Sequence, residues 1–172
     1  MAAGVTAEIA LNIKASLAGS NDLGTPKFPI DGVSNLIQLS AGTAAVNQAN
    51  ILFADTRTLA ASANEDLDLA GVLTNAFGAT ITAAEIVAIY VKAAASNTNN
   101  VNVSPAAANG FNGPFLAAGD GVAVKPGEWQ LFVSQTGWAV TAGTGDLLNV
   151  ANSSSGTSVD YDIVIIGRTV AA

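Results

Sequence analysis

Apolar residues in this chain recur at every second position, in short runs separated by glycine, proline, asparagine and serine. A 3.6-residue repeat, the mark of an amphipathic helix, is hardly present. Alternation of this kind places successive side chains on opposite faces of extended backbone, so the chain must fold as strands with one or both faces covered. The first run sets Ile9, Leu11 and Ile13, with Leu17 further on, on one face and Glu8, Asn12 and Lys14 on the other. Further strands are predicted at 36–40, 50–60, 64–69 and 86–93, around Val101 and Val103, and near 122–124. Four more are predicted at 129–134, 138–140, 147–151 and 159–167. The 64–69 strand reads as half-exposed at Leu67 and Leu69. Residues 96–100 (SNTNN) read as a hairpin turn, and 125–128 (KPGE) as a turn between paired strands. Residues 75–84 fit a loop or one helical turn. Residues 21–32 (NDLGTPKFPIDG) read as a turn-rich connector, because Pro26 and Pro29 exclude a central strand.

Many short strands with turn chemistry between them predict an all-β chain, an antiparallel β-sandwich of jelly-roll or Greek-key type. Residues 36–172 are expected to form that sandwich. Residues 1–35, an N-terminal strand and a proline-containing connector, are expected to form an arm that packs on the sandwich or on a neighbour.

The last run, residues 158–167 (SVDYDIVIIG), poses a packing problem. Val159, Tyr161, Ile163 and Ile165 share one face. Asp160 and Asp162 begin the other face, but Val164 and Ile166 finish it. A strand that ends apolar on both sides is covered on both sides there. The sandwich core accounts for one cover. A second subunit or the arm is expected to supply the other, with a loop such as 105–114 as the alternative within one chain.

Composition narrows the function. The chain has 172 residues, enough for one domain with a sizeable core. It contains no cysteine and no histidine, which removes thiolate and imidazole metal sites, disulfides, the usual nucleophile pairs and the commonest general base. An enzyme is not expected, nor any cofactor or metal. Six basic residues face 13 acidic ones, a formal charge of −7, which opposes direct nucleic-acid binding. Half of the residues are hydrophobic and only 11% are charged. No stretch approaches the roughly 20 apolar residues of a spanning helix, so a membrane location is not expected. The N-terminus lacks the basic region and apolar core of a signal peptide. So few charges predict extensive burial between subunits, most simply in a homotrimer.

Each motif has a plain structural reading. Residues 143–146 (GTGD) lack the third glycine and the following helix of a dinucleotide loop, and read as a tight turn. Glu65, Asp66 and Asp68 lack the spacing of a calcium loop and read as a solvated strand face. Trp129 and Trp138, with Phe111 and Phe115, read as core or interface rather than a sugar platform. Arg57 and Lys92 lie in apolar strands. Each either pairs with an acid across a subunit boundary, Asp55 or Glu85 being candidates, or snorkels to the surface. Ile9, Leu11, Ile13, Arg57, Val164 and Ile166 are therefore the candidate contacts with a second subunit or another partner.

Residues 54–71 (ADTRTLAASANEDLDLAG), 89–95 (IYVKAAA), 124–127 (VKPG) and 137–167, which include GWAVTAGTGDLLNVAN and YDIVIIG, resemble small proteins of tailed-phage and prophage structural modules. The resemblance runs from about residue 50 to residue 167, and within that group the length, acidity and β-rich pattern most resemble capsid cement (decoration) proteins. It implies a non-enzymatic virion component on the capsid surface. Such a protein sits as a trimer between capsomers and bridges neighbouring major capsid subunits. The alternative is a tail-fibre or neck-associated module that binds a receptor or glycan through its Asn/Gly/aromatic loop.

Overall fold

The computed structural model describes residues 4–43 and 45–172. Its strands, in chain order, are β1 (Ala7–Ala18), β2 (Lys27–Ala41), β3 (Gln48–Ala49), β4 (Ile51–Leu59), β5 (Asn64–Asp68), β6 (Glu85–Ala93), β7 (Val101–Pro105), β8 (Val122–Val124), β9 (Trp129–Ala139), β10 (Leu147–Asn152) and β11 (Val159–Arg168). No helix occurs among the described residues. Two antiparallel four-stranded sheets, ordered β4-β11-β6-β9 and β5-β10-β7-β8, face each other across one hydrophobic core. Apart from the step from β7 to β8, every connection between successive strands from β4 onward crosses from one sheet to the other.

Alternation explains which residues meet. Leu148 and Val150 of β10, Val101 and Val103 of β7, and Tyr161, Ile163 and Ile165 of β11 all point inward and are fully or almost fully buried. Burying each such side chain stabilises the fold by about 1.5–3 kcal/mol. Leu67 and Leu69, expected to be half-exposed, are also fully enclosed. In β6 the alternation breaks at Val87, where the register against both β11 and β9 shifts. That bulge lets Ile86 and Ile89 both reach the main core while Val87 and Ala88 face a second, smaller one.

Several expected pairings differ. The 96–100 segment carries the chain from one sheet to the other instead of making a hairpin. Its asparagines bond to both sheets: Asn97 Nδ2 donates to the Asp160 carbonyl at 2.8 Å, and Asn99 Nδ2 to Asn152 Oδ1 at 3.0 Å. Likewise β8 and β9 do not pair. The 125–128 turn bonds to the end of β6 through Gly127 N and the Glu128 carbonyl, so β9 continues along β6. Residues 138–140 are not a separate strand, since β9 runs on to Ala139.

The N-terminal region departs furthest from expectation. The 36–40 run and the second half of the 21–32 connector belong to one strand, β2, so the hairpin crosses the expected boundary at residue 35. Residues 1–3 and 44 lie outside the described residues. Pro29 is tolerated inside β2 because it lies where that strand has only β1 beside it.

A buried cation ties the hairpin to the sandwich. Arg168, at the end of β11, is fully enclosed. Its Nε and Nη2 donate to Glu85 Oε2 at 2.9 and 2.6 Å. Its Nη1 donates to the carbonyls of Ala45, Val46 and Gln48 in the linker after β2, and to that of Gln135 in β9. Gly137 makes room for this group. Its φ is +81°, and a Cβ there would lie 2.8 Å from both Arg168 Nη2 and Glu85 Oε2.

Removing one partner of a buried pair strands the other charge. Arg168→Ala is expected to cost about 3–5 kcal/mol, read as a lower urea midpoint at unchanged slope. A loss below about 1 kcal/mol, the range of an exposed pair, would contradict this role.

Candidate functional site

The largest uncovered feature is the β1–β2 hairpin, a two-stranded ribbon that projects from the sandwich. Its register pairs Ile9 with Ile37, Leu11 with Asn35, Ile13 with Val33, Ala15 with Ile30 and Leu17 with Phe28. These side chains share one face, which is apolar except at Asn35. The opposite face carries Glu8, Asn12, Lys14, Ser16, Ser34 and Gln38, with Ala10 and Leu36 between them. A bulge at Asp31–Gly32, opposite Lys14, shifts the phase of β2 by one residue. Without it, Ile30 and Phe28 would fall on the polar face, because a one-residue slip inverts every following side chain.

The root of the apolar face lies on the sandwich. Leu39 and Ala49, with Val5, Ala7, Ile9 and Ile37 around them, pack on Val87, Ala88 and Ile166 and on the half-buried Val133 and Val164. The second face at the end of β11 is therefore covered by this chain's own hairpin and not by the 105–114 loop. That loop turns inward at Asn109 (φ +55°) and buries Phe111 completely in the main core. Ile166 is only 7% exposed, so the expectation of a subunit contact at that residue gives way to an intrachain one. Val164 is half-buried beside it.

Beyond the root the ribbon has no cover among the described residues. Leu11, Ile13, Ile30 and Val33 are exposed, and Leu17 and Phe28 are exposed by 73% and 68%. A cleft of about 200 Å³ between Ile9, Leu11, Asn35 and Ile37 of the ribbon and Leu131 and Val133 of β9 marks where the ribbon leaves the sheet.

Arg57 lies elsewhere, on β4. Its Nη1 pairs with Asp55 Oδ2 at 2.8 Å, its Nε donates to Glu65 Oε2 at 2.8 Å, and its Nη2 also pairs with Glu65. Tyr161 donates its hydroxyl to Glu65 Oε1 at 2.8 Å. The ion pair expected across a subunit boundary is thus satisfied within the chain. Glu85, the other expected acid, pairs with Arg168 instead. The hydrogen bond to Glu65 raises the Arg57 pKa above its ordinary value. Burial, reinforced by the bond to Glu65, raises that of Tyr161.

The remaining motifs are absorbed locally. Asp66 Oδ1 accepts from Asn149 Nδ2 at 2.7 Å, and Asp68 Oδ1 from the Ala70 amide at 2.8 Å. Among the described residues no group of His, Cys, Asp or Glu is placed to hold a metal ion. The 143–146 segment is a turn in which the Gly143 amide donates to Asp146 Oδ2 at 2.6 Å. Trp138 and Phe115 pack at the core margin. Trp129 is exposed on the outer sheet face, its ring 6.1 Å from that of Tyr90.

Sequence reasoning missed Arg168 and the length of the ribbon. The ribbon carried a legible signal, since Phe28 and Ile30 alternate out of phase with Val33, Ile37 and Leu39, as a bulge requires.

No family model matches the chain, and no curated protein matches it. One solved structure that resembles it comes from work described as "Bacillus endospore appendages form a novel family of disulfide-linked pili". The TM-score is 0.36 at 14% identity, covering 74% of this chain and 96% of that one. A likeness so loose carries no argument.

The Tyr161 shift has a consequence for pH. A raised folded pKa means that the contribution of this hydroxyl is complete below the ordinary tyrosine value of about 10 and is lost as pH climbs above it. Unfolding free energy is expected to fall from about pH 10 upward, and Tyr161→Phe is expected to flatten that slope. Parallel slopes for the two proteins would contradict the assignment.

Proposed function

We propose that this chain is a non-enzymatic structural subunit of a tailed-phage virion, a cement protein on the capsid surface that bridges neighbouring major capsid subunits. The observation that carries this reading is the ribbon. A one-sided apolar surface is maintained through a bulge, on a segment with no cover of its own. An isolated two-stranded ribbon is marginally stable in water, so such a face makes physical sense as a surface completed by assembly.

Other observations support the same reading. The strand order, two four-stranded sheets joined by connections that cross between them, is compatible with a double-sheet jelly roll. The carboxylates of Glu65, Asp66 and Asp68 are engaged by Arg57, the Asn149 side chain and the Ala70 amide. The sequence resemblance to small proteins of tailed-phage structural modules spans the sandwich. On this reading the subunits form a homo-oligomer, most simply a trimer, and the contribution to the shell is additive contact that opposes expansion and genome pressure.

Purified chain added to empty shells of the corresponding phage, stripped of decoration, is expected to co-sediment to saturation and raise the shell melting temperature. Failure to co-sediment would overturn the cement role.

A further inference from the structure

We infer that the distal apolar face of the ribbon docks on the outer face of the β4-β11-β6-β9 sheet of a second copy of this chain, in a head-to-tail contact; this rests on the structural-subunit reading above. Ribbon-on-sheet packing is already the arrangement at the root. There the ribbon lies over Ile166 of β11, Ala88 of β6 and Val133 of β9, three neighbouring strands. β1 has 12 residues, a span of roughly 40 Å, whereas four strands are only about 15 Å across. A ribbon that leaves over the edge strand β9 therefore overhangs its own sheet, and its distal half reaches only another molecule.

The outer sheet face offers the matching surface. It divides into an apolar half, with Leu52, Ala54, Val164, Tyr90 and Leu131, and a polar half in which Trp129 lies beside Lys92 and Asp162. In the polar half Thr56 and Thr58 donate to Asp162 and Asp160. The ribbon root covers only part of the apolar half. Leu52 and Ala54 remain exposed, and Tyr90 and Leu131 half-exposed.

The exposed area agrees with a copy as occupant. Leu11, Ile13, Leu17, Phe28, Ile30 and Val33 expose on the order of 600 Å² together, at the upper end of patches on ordinary monomers. Burying them against an equal area on a neighbour approaches the roughly 1,200 Å² at which stable interfaces begin. In a closed ring each copy donates one ribbon and receives one, so every subunit makes this contact twice. Copies with a formal charge of −7 repel one another. The approaching face carries no charge, and the hairpin holds two lysines against three carboxylates.

Complementation between two variants tests the contact. Leu17→Glu/Phe28→Glu disables the ribbon at exposed positions, and Ala54→Lys disables the receiving sheet at another. Cooperative melting of both confirms that the sandwich is intact. Wild type is expected to sediment as an oligomer and each variant as a single 17.1 kDa chain. An equimolar mixture of the variants is expected to form a dimer, because one intact ribbon then meets one intact sheet. A monomeric wild type, or a ribbon variant that still assembles, would overturn the inference. So would an Ala54→Lys variant that stays oligomeric, as ribbon-to-ribbon pairing demands, or a mixture that stays monomeric. Shell binding is scored separately. A monomeric wild type that still binds and stabilises shells overturns this contact and leaves the cement role, while an oligomer that ignores shells does the reverse.

Discussion

The guanidinium of Arg168 holds three parts of the molecule in register. It donates to the carboxylate of Glu85 on β6, to the carbonyl of Gln135 in β9, and to three carbonyls of the linker between β2 and β4. Because the linker leads directly out of the ribbon, its path fixes where the ribbon root lies. A charge this deeply enclosed is weak evidence for net stability, since desolvation offsets much of its attraction. Its consequence is geometric: it sets the direction of the ribbon relative to the sandwich.

From that anchor the molecule divides into a self-sufficient part and an incomplete part. The sandwich buries its apolar side chains between two sheets, and Arg57, Glu65 and Tyr161 are linked by hydrogen bonds at its margin. The ribbon root adds a second core, built on Ile166 and Val87. Past Ile9 and Ile37 that core runs out while the apolar pattern continues to Leu17 and Phe28. The pattern is the same on both sides of this point, but the cover is not, and that difference makes the distal ribbon a surface for assembly.

Much of the fold was legible because alternation is local. The strands at 50–60, 64–69, 86–93 and 159–167 follow from residues that face the core every second position, and the all-β class follows from their number. The partners were not legible, because a hairpin and a crossover can begin with the same turn residues. Residues 96–100 became a crossover only because Asn97 and Asn99 find acceptors in both sheets. The double-sided burial at Val164 and Ile166 was readable, with the arm among its expected covers. Arg168 was not, because a basic residue near a chain end looks like any solvated one until Glu85 and the linker carbonyls surround it. Among the candidate contacts, Leu11 and Ile13 stand exposed on the ribbon, Ile9 sits at its root, and Arg57 is engaged with Asp55 and Glu65.

Hydrogen exchange of the assembled wild-type chain tests most directly whether the distal ribbon is a completed surface. Amides of the ribbon root near Ile9 and Ile37 are protected by the sandwich in any case. Those paired between Leu11 and Leu17 on β1 and between Phe28 and Asn35 on β2 belong to a ribbon with no cover among the described residues. The account expects them to exchange as slowly as the root amides at micromolar concentration, because another copy lies on that face. Exchange of the distal amides at the rate of a fraying, solvated hairpin, with the root still protected, would contradict it.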